Sequence, residues 1–406
     1  MKLKPVTFWT VIAFSFLVLF IFEMGNLSGD GDFTFFYLAG HRFLNLINPY
    51  SISGYPKGYP GFSYPPPAFY LITIPSLFRF PLFSLALRMW DFICLLSLSL
   101  CVFLWIRLLW LKHESDNFSF FTLIFAASIT APVVWAFEAH QLIIPLLLLI
   151  SVAVYASYLG NDSKAGFFSA LALFKPHLVI LAIITLFFRS SHKKNFCAGA
   201  LAGLVLMYVP YLLLFHKSFS IPQITRGALA CNNNYYFDDQ NLIVRMFPAV
   251  AYRDGIEVPG ISIENHAVKR QRAVKYGCFA VITAIWILLM LKIKKSSLLW
   301  LTASGLALNL IFAPYSHFYD AAMMLPVMLL GISSTSRRLP VGVVCCAVLL
   351  INLGLYYVLC YSPKGYYNWA RMGWASLIYF VLGSFLYLWP WREIEKRRPK
   401  NYLYGQ

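Results

Sequence analysis

Residues 84–109 read SLALRMWDFICLLSLSLCVFLWIRLL, with Arg88, Asp91 and Arg107 the only charges. Wound as a helix at 1.5 Å per residue, such a run covers roughly 39 Å, more than the ~30 Å of bilayer hydrocarbon. Runs of the same kind recur at 6–22, 118–136, 141–159, 196–215, 276–292, 297–313, 320–333, 340–360 and 371–390. Residues 165–188 are bracketed by Lys164 and by the cluster from Arg189 to Lys194, which a two-pass hairpin with its tip at Lys175, Pro176 and His177 satisfies at both ends. Counting the hairpin as two gives about twelve crossings. The expected fold is all-α: one polytopic transmembrane helical bundle over residues 1–406, with two long loops on one side, residues 23–83 and 216–275.

Composition agrees. The chain is 60% hydrophobic and 12% charged, against roughly 25% charged residues in soluble domains. Residues 6–22 follow Lys2 and Lys4 in the manner of a signal peptide. No small-x-small site precedes Glu23, so a retained first helix is expected. Most of the eight cysteines fall inside apolar runs without metal-type spacing, which points to small buried hydrophobes and indicates neither a disulfide framework nor a zinc site.

Charge orients the bundle. With the N-terminus in the cytoplasm, seventeen Lys and Arg fall inside, while the three short outer loops hold only Lys364 and Arg371. This is the positive-inside asymmetry. It predicts a cell inner (plasma) membrane protein with both termini cytoplasmic and a basic tail, residues 392–406, that faces anionic lipid rather than nucleic acid. Lys269, Arg270, Arg272 and Lys275 run against the rule, but they belong to a long translocated loop, which escapes it.

Ten of the sixteen carboxylates lie on the outer side in this arrangement, several at span ends. Ionisable groups beside hydrocarbon are costly, so a gathering of them at one face marks a candidate site. Asp32 opens a run with apolar residues at helical spacing, Phe33, Phe36, Tyr37, Gly40, Phe43 and Leu44. Spacing favours a helix cap, with a general base at the mouth of a cavity as the functional alternative. Residues 68–77 are too short to cross and predict an interfacial helix. Glu138, His140 and Gln141 form a short polar turn between spans. Lys175, at a hairpin tip, requires a partner, and a lipid phosphate is one. Asp238 and Asp239 form an acidic pair without further fixed oxygen ligands, weak support for a cation site. Asp91 follows Arg88 by three residues, the spacing of an intrahelical ion pair.

In their order these runs resemble polytopic glycosyltransferase family 87, part of the GT-C superfamily that includes alpha-mannosyltransferases using polyprenyl-phosphate mannose. The motifs are D-F-x-x-F-Y-x-A-G at Asp32 to Gly40, N-P-Y at Asn48 to Tyr50 and Y-P-P-P at Tyr64 to Pro67. A polar turn ending in Gln141, A-G at Ala165 and Gly166, K-P-H at Lys175 to His177 and P-x-S-H-x-Y-D at Pro314 to Asp320 follow. The polar turn reads A-H-Q-L, where the family often carries G-Q-x-N.

The resemblance implies a GT-C-type helical membrane fold with its active site beneath the first outer loop. It implies Asp32 as catalytic base, and Lys175 and His177, with Arg42 or Arg245, near the lipid phosphate. Tyr37 and Tyr64 would contact substrate, and Gln141, His317, Tyr319 and Asp320 would line the sugar pocket. The reaction would be inverting transfer of a hexose, mannose in the best-known case, from a polyprenyl-phosphate donor to a lipid or glycan acceptor. No cofactor is implied beyond that donor, and a divalent metal is neither required nor excluded. The alternative function is a transporter or flippase of a lipid-linked or amphipathic solute, which many spans with intramembrane polar residues would also suit. No internal repeat accompanies it here.

Overall fold

The computed structural model describes residues 33–49, 64, 67–78, 80–112, 131–215, 266–293, 297–313 and 318–335. Among them every regular element is helical: α1 Phe33–Leu44, α2 Pro67–Ser76, α3 Phe83–Lys112, α4 Ala131–Glu138, α5 Ile143–Tyr158, α6 Asp162–Leu171, α7 Pro176–Arg189, α8 Lys193–Phe215, α9 His266–Lys292, α10 Leu298–Phe312 and α11 Leu325–Thr335. Short 3-10 turns lie at Phe80–Leu82, Ala172–Phe174 and Phe318–Met324.

Two of these helices are long and apolar enough to cross a membrane, Phe83–Leu109 within α3 and all of α8. The other apolar helices, Ile143–Tyr158 and Leu298–Phe312 among them, are shorter. The expected total of about twelve spans is therefore not reached among the described residues. The runs at 6–22, 340–360 and 371–390, and residues 216–265 of the second long loop, lie outside them. Leu201, Val205, Leu206, Val209, Leu212 and Leu213 all project outward from α8. A continuous apolar face of this kind is rare on a protein surrounded by water, whereas lipid tails are as apolar as leucine.

Local sequence explains the turns. At the end of α5, Gly160 adopts φ +75°, its N–H reaches the Ser157 carbonyl at 3.0 Å, and Asn161 N–H reaches Ala156 at 2.8 Å. This is the Schellman arrangement, which needs a left-handed residue that glycine supplies without strain. Asn161 then caps α6, accepting from the Lys164 N–H at 3.1 Å. The chain reverses, and α6 packs back along α5.

Residues 162–190 form the hairpin. A straight helix over this stretch would separate its ends by roughly 40 Å, yet the Asp162 carboxylate accepts the His192 N–H at 2.7 Å. The fold-back falls at Lys175, the non-helical residue that precedes Pro176, as expected of a residue before proline. The limbs, Asp162–Leu171 and Pro176–Arg189, are about 15 Å and 21 Å long. Neither limb alone matches the ~30 Å of a crossing, so the hairpin does not supply two full spans; Pro176 ends the first limb too early.

The first limb is seated by glycine. A Cβ on Gly166 would collide with the Phe196 carbonyl, and one on Gly199 with the Ser163 carbonyl, so α6 and α8 run in parallel at backbone contact. The second limb packs on α10, where a Cβ on Gly305 would meet the backbone of Leu181 and Ala182 at 3.1 Å. Trp286 of α9 donates to Thr185 Oγ1 at 2.9 Å and to the Leu181 carbonyl at 3.0 Å. On the far side of α5, Trp105 of α3 donates to Ser151 at 2.9 Å. These polar contacts fix register between faces that apolar packing alone leaves free to slide.

α1 and α2 pack on each other at one end of the bundle, the end that carries the hairpin tip. Phe43 stacks on Phe69 at 5.2 Å and Phe69 on Tyr211 at 5.8 Å, joining this pair to the end of α8. Phe33 and Phe36 both meet Trp90 of α3. The opposite end collects Arg107, Lys112, Lys164, Arg189, Lys193, Lys194 and Lys292, all near helix termini there.

Candidate active site

The hairpin tip carries a buried cation. Lys175 Nζ lies 3.0 Å from Asp320 Oδ1, with the two side chains 4% and 0% exposed. The ammonium also hydrogen-bonds to Tyr64 and stands 5.4 Å from the centre of its ring. A charge taken from water persists only if paired and hydrogen-bonded, and both conditions hold. Asp320 comes from the 3-10 turn after α10, while Tyr64 lies between α1 and α2. Three segments distant in sequence thus meet at one ion pair.

An aromatic layer links this pair to the polar turn between α4 and α5. Phe36 meets Tyr64 edge-on at 5.7 Å and Trp90 at 6.2 Å. Phe33, the residue after Asp32, meets the His140 ring edge-on at 6.3 Å. His140 adopts φ +50°, with its N–H bonded to Phe137 and the next N–H, of Gln141, bonded to Ala136. This repeats the Schellman geometry of Gly160 with a side chain at the left-handed position. Asp91 Oδ1 lies 2.8 Å from His140 Nδ1, and Trp90 Nε1 donates to the His140 carbonyl at 2.9 Å. Asp91 therefore reaches across to another segment, a partner that its spacing from Arg88 did not suggest.

The remaining candidates divide. Gln141 is fully buried beside this turn, its amide donating to Ala139 at 3.3 Å. His177 is half-buried in the first turn of α7. Tyr37 is fully buried and its hydroxyl donates to the Phe78 carbonyl at 2.6 Å, with His41 on the same oxygen at 3.0 Å. Burial pushes the Tyr37 phenol above its ordinary pKa, so it remains a neutral donor that ties α1 to the segment before α3. Arg42 donates to the Asn48 carbonyl at 3.0 Å and 3.3 Å, closing the turn after α1. Asp32, Arg245 and His317 lie outside the described residues, as does the Tyr319 side chain; the Tyr319 backbone belongs to the 3-10 turn that presents Asp320.

Lys175, Asp320 and Tyr64 are thus brought together, with Gln141 across the aromatic layer, while Tyr37 and Arg42 are engaged with backbone carbonyls. Sequence reading did not single out Asp91 and His140 as a pair. The signal was present in the turn A-H-Q, where histidine stands at a position that favours glycine. Among the described residues no group of three or more His, Cys, Asp or Glu side chains is placed to hold a metal ion.

Residues 62–230 match the model of glycosyltransferase family 87. The match covers 169 of the 406 residues and supports an enzyme of the glycosyltransferase class. A search of curated proteins gives no match. The family 87 block contains Tyr64, Asp91, His140, Gln141, Lys175 and His177. Asp320 lies beyond it in sequence, but its bond to Lys175 joins it to the block in space.

Proposed function

We propose that this enzyme moves a hexose, with mannose the first candidate, from a polyprenyl-phosphate sugar to a lipid or glycan acceptor. The reaction takes place at the outer face of the plasma membrane, within a single multi-pass domain. The acceptor hydroxyl attacks the anomeric carbon as the bond to phosphate breaks, which inverts that carbon. The hydroxyl proton passes to Asp32, and the polyprenyl phosphate leaves with the bonding electron pair.

The observation that carries this reading is the family match, together with a buried cation at the end of the bundle where α1 packs. A departing phosphate needs cationic or N–H contacts more than it needs a proton. Lys175 supplies a cation held by Asp320. His177, Arg42 and Arg245 are proposed to assist at the phosphate. Gln141, His317, Tyr319 and Asp320 are assigned to the sugar pocket, with Tyr37 and Tyr64 shaping it. The outward apolar face of α8 suits a surrounding of acyl or prenyl chains.

Membranes containing the protein, supplied with a radiolabelled polyprenyl-phosphate hexose, test the proposal. Wild type should transfer label to lipid or glycan, and Asp32→Asn should lower the rate at least 100-fold, at the low end of what a positioned base contributes. Equal rates for Asp32→Ala, Asp32→Asn and wild type would remove Asp32 as base. Uptake of label into the vesicle lumen without transfer would replace the enzyme with a transporter.

A further inference from the structure

The family match does not account for the backbone of His140. A non-glycine residue at φ +50° costs on the order of 1–3 kcal/mol, and glycine would remove that cost. The side chain must be held there by something. Its Nδ1 is fixed 2.8 Å from Asp91, and the pair is 12% and 18% exposed. A carboxylate at Nδ1 places the ring proton on that nitrogen, so in the neutral imidazole Nε2 carries the lone pair. Among the described residues Nε2 of His140 has no hydrogen-bond partner. The ring thus presents an oriented acceptor at the same end of the bundle as the Lys175–Asp320 pair, separated from it by Phe36, Trp90 and Tyr64.

We propose that His140, oriented by Asp91, determines sugar specificity by accepting a hydrogen bond at Nε2 from one hydroxyl of the donor hexose. The chemistry suits the ligand, because a hydroxyl is a donor and an aligned imidazole nitrogen is an acceptor that cannot swing to water. Asp91 is a positioning residue that acts through His140. The inference rests on the transferase reading above and adds the group that reads the sugar.

The test uses wild type, His140→Gly and Asp91→Asn in native membranes. The donors are polyprenyl-phosphate hexoses lacking one hydroxyl at a time. His140→Gly keeps the backbone in its preferred conformation, so folding is retained, and thermal unfolding in detergent verifies it. With the parent donor, His140→Gly should lose roughly 10- to 100-fold in kcat/KM, the range for leaving one polar partner unmatched. With one deoxy donor, and only one, wild type and His140→Gly should perform alike. Asp91→Asn should show a smaller loss on the parent donor and the same pattern across the series. If His140→Gly is penalised equally on every donor, or on none, His140 reads no hydroxyl and the inference is overturned. Failure of wild type to transfer from the parent donor would overturn the transferase reading and this inference with it. That outcome is recognised by its independence from residue 140.

Discussion

Two hydrogen-bonded pairs, Lys175–Asp320 and His140–Asp91, occupy the same end of this molecule and differ in access. Lys175 and Asp320 are sealed, at 4% and 0% exposure, whereas His140 and Asp91 keep 12% and 18%. The sealed pair joins the hairpin tip to the 3-10 turn after α10, and each charge justifies the burial of the other. The more open pair leaves one ring nitrogen without a protein partner among the described residues. The closed pair holds its charges against each other where the donor phosphate is proposed to sit, and the open one leaves an acceptor for a hydroxyl.

The largest effect should come from unbalancing the sealed pair. Lys175→Met or Asp320→Leu alone leaves an uncompensated buried charge and should destabilise by about 3–5 kcal/mol, read as a fall in the unfolding midpoint in detergent. The double variant Lys175→Met/Asp320→Leu should regain most of that stability while transfer remains lost. Recovery of transfer would show the pair to be purely architectural.

Next comes the seat of the hairpin that carries Lys175. Gly166→Leu or Gly199→Leu must force α6 from α8 and should cost about 1–3 kcal/mol. Both should also lower transfer, because the hairpin tip is displaced; an unchanged rate would uncouple the tip from its base. Trp286→Phe removes the indole N–H shared by Thr185 and Leu181, with an expected loss of about 1 kcal/mol, visible as a small midpoint shift.

The smallest effect on stability should be at the open pair. His140→Gly loses one hydrogen bond to a carboxylate but relieves left-handed strain, and the two terms leave a net change within about 1 kcal/mol. Substitution at this pair should therefore separate activity from stability, whereas substitution at Lys175 moves both. A large midpoint fall for His140→Gly would erase the distinction between the two pairs.

Much of this was legible in the residues. The lengths and apolarity of α3 and α8, the short helix over residues 68–77 and the fold-back at Lys175 follow from hydropathy, proline and flanking charge. Each of these is a local property. The number of crossings was not so legible, because apolar runs of similar composition form helices of unequal length once proline and tight turns interrupt them. The site was half legible: Tyr64, Lys175 and Asp320 were singled out separately, and nothing local could join them.

The sequence by itself determined that this chain is helical, that membrane lipid suits its apolar faces, and that its charges sort to opposite ends. Those properties depend on neighbours within a few turns. Tertiary structure alone decided that Lys175 meets Asp320, 145 residues away, and that Asp91 meets His140, 49 residues away. Charge pairing falls steeply with distance and with access to water, so the choice among partners belongs to the packing that buries them.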